Sequence, residues 1–185
     1  MLPAEKNSYS SLIGPAITLL LVVLIDQITK MWAVSTLQLQ QSVEVLGRFF
    51  MFTLVYNKGG AMGTNFGSTS YYLISAILIL GFVLYYLIAN RGLNRITYPL
   101  ALIAGGAIGN VIDRIRFGQV VDFIDVDFFD INLFGYHLDR WWTWNVADAA
   151  ISCSIVFLIF SLMMQRHHET EPPAAATGPA SDQPG

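Results

Sequence analysis

Long apolar runs, nearly free of charge, alternate along the chain with stretches that hold almost all of its Asp, Glu, Lys and Arg. Crossing a hydrocarbon core of roughly 30 Å as a helix takes about 20 apolar residues. Four runs meet that length as expected spans, at about 14–34, 71–89, 96–112 and 145–164. Amides in lipid must be bonded within their own segment, so each run is read as an α-helix. Tyr71 and Tyr72 at one end of the second span, with Tyr85 and Tyr86 near the other, fit interfacial anchors. The pattern changes in the two long connections, 35–70 and 113–144. Val43-Glu44-Val45 and Phe49 to Tyr56 are β-branched and aromatic, ahead of the turn signal Asn57-Lys58-Gly59-Gly60, which predicts a strand or hairpin. Asp125-Val126-Asp127-Phe128 alternates with period two and reads as a further strand.

Composition removes the soluble alternative. Of 185 residues, 54% are hydrophobic and 12% charged, about half the charged share of a typical globular chain. A net charge of −3 gives no sign of a nucleic-acid binder, and the single Cys153 excludes an intramolecular disulfide. The run Leu12 to Ile25 has the length of a signal-peptide core. Only Lys6 precedes it, however, and Asp26, Gln27 and Lys30 follow where a small-residue cleavage site would lie, so it is read as a permanent helix. The connection Asn90-Arg91-Gly92-Leu93-Asn94-Arg95 is short and purely basic, and Lys6 and Arg166 fall on the same side if the spans alternate. The positive-inside rule then makes that side cytoplasmic, and Asp122, Asp125, Asp127, Asp130 and Asp139 lie outside. The expected fold is an all-α membrane bundle of four transmembrane helices with a small β-rich extracytoplasmic cap and both termini cytoplasmic. It forms one integral-membrane domain over residues 1–166, and 167–185 form a disordered cytoplasmic tail.

Charges inside or bordering spans are costly and mark candidate sites. Asp26 and Lys30 share a helix face at i,i+4, either as a neutralising pair or as groups that orient a neighbour. Gly105 and Gly109 form a G-x-x-x-G whose plainest use is close helix packing. Asn110, Asp113 and Arg114 follow at the outer mouth, where Arg114 either snorkels to headgroups or clamps a ligand. The acids of 122–130 lack the glycine and terminal glutamate of a calcium loop, and no metal is assigned. Asp122 stands apart because Val120, Val121, Phe123 and Ile124 give it an apolar setting. Asn145 and Asp148 suit a helix N-cap and its third residue, so on their own they leave capping and chemistry equally open. The Trp141-Trp142-Thr143-Trp144 flank reads as an interfacial belt. Ser152, Cys153 and Ser154 have no histidine near them in the sequence, which leaves a Ser-His or Cys-His enzyme weakly supported.

Taken together, these patches resemble the bacterial lipoprotein signal peptidases, the type II signal peptidases. The matching residues are Asp26-Gln27-Ile28-Thr29-Lys30, Asn57-Lys58-Gly59, Gly105-Gly106-Ala107-Ile108-Gly109-Asn110-Val111-Ile112-Asp113-Arg114, Gly118-Gln119-Val120-Val121-Asp122-Phe123 and Asn145-Val146-Ala147-Asp148. The resemblance covers about 14–165 and is most specific over 105–123. Departures fall at Gly60, Met62 and Trp144, and 128–144 is longer than usual for the family. The resemblance implies a four-span aspartyl peptidase of the bacterial inner membrane that works at the periplasmic side without a cofactor. It would act as a monomer in contact with membrane lipid and cut prolipoproteins just before a lipid-modified cysteine. By position it makes Asp122 and Asp148 the catalytic pair. Asp26, Lys30, Asn57, Gly59, Asn110, Arg114 and Asn145 become the supporting and substrate-contacting shell.

Two carboxylates held close cannot both ionise easily and share one proton. The ionised member can activate water while the protonated one polarises a carbonyl, and Asp148 at a helix N-terminus is the expected anion. A small transporter would instead spread ionisable groups through the membrane, using Asp26, Lys30, Asp113 and Asp148 as a relay. A purely structural membrane protein would tolerate Asn at both 122 and 148.

Overall fold

The computed structural model describes residues 9–59, 68–127, 131–133, 136–138 and 142–170. Gly60, Met62, Phe128, Asp130, Asp139, Trp141, Lys6 and the tail from 171 lie outside them. The chain opens with a 3-10 turn, Tyr9–Leu12, that leads into α1 (Ile13–Thr36). It continues through β1 (Ser42–Leu46), β2 (Phe50–Asn57), α2 (Thr69–Ala89), α3 (Asn94–Phe117), β3 (Val120–Val126), β4 (Ile131–Leu133), β5 (Tyr136–Leu138) and α4 (Val146–Thr170). The helices α1, α2 and α3 are long and apolar enough to cross a membrane, and the described apolar stretch of α4 is Val146–Ser161. Large apolar side chains such as Leu20, Leu24, Leu78, Phe82, Val156 and Phe160 point outward from them, as lipid requires.

α3 is the centre of the bundle, with α1, α2 and α4 packed around it. Its glycines explain the closeness. A Cβ at Gly105 would lie 2.8 Å from the Leu19 carbonyl oxygen of α1, and one at Gly106 would lie 2.5 Å from the Ala147 carbonyl oxygen of α4. One at Gly109 would run into the Asp26 carboxylate. Small residues let helix backbones approach in this way, so the packing reading of the glycine motif holds. Val83 and Leu87 of α2 meet Leu100, Ala101 and Ala104 of α3 in an apolar core. The Arg91 guanidinium stacks over the Tyr9 ring at 4.8 Å, which puts the start of α1 and the α2–α3 connection at the same end of the bundle.

At the opposite end β1, β2 and β3 form an antiparallel sheet in that order, with β4 and β5 as a separate hairpin. Leu54, Val121 and Phe123 of the sheet pack on Ala33 near the end of α1, and Trp32 meets Phe52 edge-on at 5.0 Å. Three boundaries depart from the sequence expectation. α3 runs on to Phe117, so Asp113 and Arg114 sit on its last turns and not in the outer segment; a charged residue ends the lipid-facing stretch without ending the helix. β3 begins at Val120 and contains Asp122, earlier than the alternating run suggested, because its side chains are buried on both faces. α4 extends to Thr170, four residues into the stretch expected as tail.

Candidate active site

Three local features bring distant residues to one place. Gly118 ends α3 in the left-handed region at φ +69°, which glycine adopts without a Cβ penalty. The chain then enters β3 two residues later, so α3 delivers Asp122 directly beside its own C-terminus. The Trp144 N–H donates to the Ile124 carbonyl at 2.9 Å, and the Ile124 N–H donates back to Trp144 at 2.7 Å. That bridge fixes the start of α4 against β3. Finally, β2 pairs Val55 with Asp122 and Asn57 with Val120, which puts Asn57 diagonally across from Asp122 on the same face.

Asn145 caps α4. Its Oδ1 accepts the Asp148 N–H at 3.0 Å, as an N-cap should. Its Nδ2 donates to Asp122 Oδ1 at 2.6 Å and also reaches Asn110 Oδ1 and the Val121 carbonyl, each at 3.2 Å. The Asp148 carboxylate does not complete a capping box: it accepts from Asn110 Nδ2 at 2.8 Å. Asn145 and Asn110 thus bridge the two acids. The other Asp122 oxygen accepts from Asn57 Nδ2 at 3.1 Å, while Asn57 Oδ1 takes the Gly59 N–H at 2.9 Å. Arg114 Nη2 donates to the Gly59 carbonyl at 3.1 Å, holding this turn over the site.

Asp122 is 2% exposed. Burial, and next the neighbouring Asp148 carboxylate, push its pKa up to about 7, against the opposing pull of the Asn57 and Asn145 donors. Below neutrality, then, Asp122 holds a proton that an ordinary carboxyl would have lost.

Behind the acids lies a second polar layer. Lys30 Nζ, 3% exposed, pairs with Asp26 Oδ2 and Asp113 Oδ2, each at 2.9 Å, and donates to Asn110 Oδ1 at 2.8 Å. Asp26 Oδ1 accepts the Ala147 N–H at 3.0 Å, so a side chain of α1 serves a free amide of α4. Asp26 and Lys30 are therefore support buried under the site rather than groups open to a ligand. Gln27 and Asp113 belong to this layer too. Gln27 Nε2 donates to Asp113 Oδ1 at 3.1 Å and to the Gly109 carbonyl at 3.2 Å. In the sequence Asp113 stands at the outer mouth and as a possible relay group and Gln27 has no assigned role, though both lie within the matched motifs. All nine residues assigned from the sequence converge here. Asp125 does not, being bonded to Thr53 Oγ1 at 2.7 Å. Of the candidate nucleophiles, Ser154 Oγ bonds back to the Ala150 carbonyl at 2.6 Å and Cys153 is exposed on α4.

Comparisons with known proteins agree with this architecture. Residues 18–164 match the family described as Signal peptidase (SPase) II. A lipoprotein signal peptidase of Syntrophus aciditrophicus (strain SB) is 38% identical over 164 residues, covering 83% of this chain and 94% of that protein. One of Psychromonas ingrahamii is 40% identical over 141 residues, covering 74% and 76%. A bacterial membrane enzyme solved by the in meso method at 2.3 Å superposes with a TM-score of 0.74 at 31% identity, covering 88% of this chain and 95% of that one. The protein is an integral-membrane peptidase. It belongs to the signal peptidase II family.

Proposed function

We propose that this chain removes signal peptides from prolipoproteins, cutting before a diacylglyceryl-modified cysteine with Asp122 and Asp148 as the catalytic pair. The observation that carries this reading is the bridging of two acids, 26 residues apart in sequence, through Asn145 and Asn110 at one end of a membrane bundle. The singly protonated pair is the working form. Ionised Asp148 takes a proton from water as its oxygen attacks the scissile carbonyl, and protonated Asp122 gives its proton to the carbonyl oxygen. The tetrahedral diol collapses when Asp148 passes its proton to the leaving cysteine nitrogen and a diol hydroxyl returns one to Asp122. No covalent enzyme intermediate arises and the pair ends as it began.

The same reading makes α4 a fourth span, puts both termini in the cytoplasm and the acids at the periplasmic face of the inner membrane. The basic 90–95 connection lies at the end away from the sheet, which suits that orientation. The substrate's acyl chains stay in lipid while the scissile bond meets the acids, which reduces the orientation the site must impose. The enzyme works as a monomer.

The test is incubation of purified protein in detergent with a diacylglyceryl-modified prolipoprotein and with its unmodified form, the product ends being read by mass spectrometry. Cleavage before the lipidated cysteine only in the modified substrate is expected; cleavage elsewhere, or none, contradicts the reading.

The pH dependence has a definite sign. An acid whose pKa is raised keeps its proton until the pH climbs through the raised value. kcat/KM should therefore fall as pH rises through about 7, with loss of the shared proton. A profile still rising between pH 7 and 9 would contradict the assignment.

A further inference from the structure

The groups that touch the acids do not explain what holds those groups themselves. Asn110 can offer Asp148 either its amide N–H or its carbonyl oxygen, and only the first supports an anion. The choice is made from behind. Asn110 Oδ1 is occupied by Lys30 Nζ at 2.8 Å and Asn145 Nδ2 at 3.2 Å, which leaves Nδ2 for Asp148. Lys30 has three protons and meets three acceptors, Asp26, Asp113 and Asn110. Asp113, 1% exposed, has a further attachment: the Oδ2 that pairs with Lys30 also accepts the main-chain N–H of Val121, next to Asp122, at 3.1 Å.

We propose that Asp113 is a positioning residue for both acids, fixing the β3 backbone beside Asp122 and, through Lys30 and Asn110, the donor that faces Asp148. The inference rests on the catalytic reading above and adds to it a residue that touches neither acid. One carboxylate oxygen joins α1, α3 and β3, so the spacing of the acids depends on a charge buried behind them. A cavity of about 200 Å³ borders Asp113, Lys30 and Gln27 without reaching Asp122 or Asp148. It gives Lys30 somewhere to move when Asp113 no longer holds it.

Asp113→Asn keeps the side chain's shape and removes its charge. On a lipidated prolipoprotein peptide in detergent, kcat is expected to fall about 10- to 100-fold, as for a misplacement of reacting groups of order 1 Å, with KM within about twofold. Gln27→Met removes the third hold on Asp113 without leaving a new charge, and a fall in kcat of about 3- to 10-fold at constant KM is expected. Activities are taken per folded molecule, with thermal unfolding followed in parallel; if Asp113→Asn does not fold, Gln27→Met decides. Wild-type kcat per folded molecule, with or without lowered thermal stability, overturns the proposal, as does a loss carried by KM. Asp122→Asn is assayed beside them: if it still cleaves, the catalytic reading has failed, whereas an inert Asp122→Asn beside a fully active Asp113→Asn removes only the inference.

Discussion

Asp122→Asn is expected to reduce cleavage about 10³-fold or more while the protein still folds and inserts. General acid–base work by a positioned side chain contributes typically 10²–10⁴-fold, and in the proposed mechanism the same group gives up a proton and takes one back in each turnover. Asn fits the space and still offers an oxygen to the Asn145 amide, which at 2.6 Å is the tightest contact of the site. What it cannot do is hold a transferable proton near neutral pH. Removing a carboxyl that burial already holds protonated up to about 7 relieves a desolvation cost, which offsets the lost Asn57 hydrogen bond, so thermal stability in detergent should change little. Stability kept as activity is lost would separate a reacting group from a supporting one. Activity within tenfold of wild type would contradict the assignment.

The second large effect is structural. Gly109→Ala places a methyl group against the Asp26 carboxylate, which at once pairs with Lys30 and accepts the Ala147 N–H of α4. Neither partner can give way cheaply, because one is a buried cation and the other a main-chain amide. Overpacking of this kind costs about 1–3 kcal/mol, or roughly 2–12 °C in unfolding midpoint for a chain of this size. The displaced α4 N-terminus carries Asn145 and Asp148, so kcat should drop about tenfold or more with it. Gly81 on α2 has nothing within 4 Å of an added Cβ. Gly81→Ala is the matched control and should leave kcat unchanged and the midpoint equal or slightly higher, because Ala suits a helix interior better than Gly; equal losses at 81 and 109 would refute the packing argument.

The helices and Asp122 are legible in the sequence because both signals are local, whereas at Asp148 the residues alone leave capping and chemistry equally open and only the family resemblance pairs it with Asp122. Twenty apolar residues announce a helix whatever they pack against, and an Asp among valines stands out without a structure. Boundaries were less legible. Asp113 and Arg114 read as an exit from the helix, yet the helix runs on to Phe117, and its last turn favours the cations Arg114 and Arg116. Val120–Val126 hid its strand because burial on both faces erases the alternation that betrays a half-exposed one. At Asn145 and Asp148 the cap was real, but the carboxylate turned to Asn110, a partner 38 residues away. The same distance limit hid Asp113 and Gln27, whose work depends on pairing between α1, α3 and β3. Similarity located those residues within motifs, and only the fold shows what each one holds.

The central claim is that Asp122 and Asp148 act as one unit on one water molecule. Single-turnover cleavage of a lipidated prolipoprotein peptide should be measured for the wild type, Asp122→Asn, Asp148→Asn and the double variant. Groups that act as a unit are strongly non-additive. All three variants are therefore expected to be equally inert, the double no slower than either single. Substantial cleavage by one single variant, or losses that multiply in the double, would contradict the account.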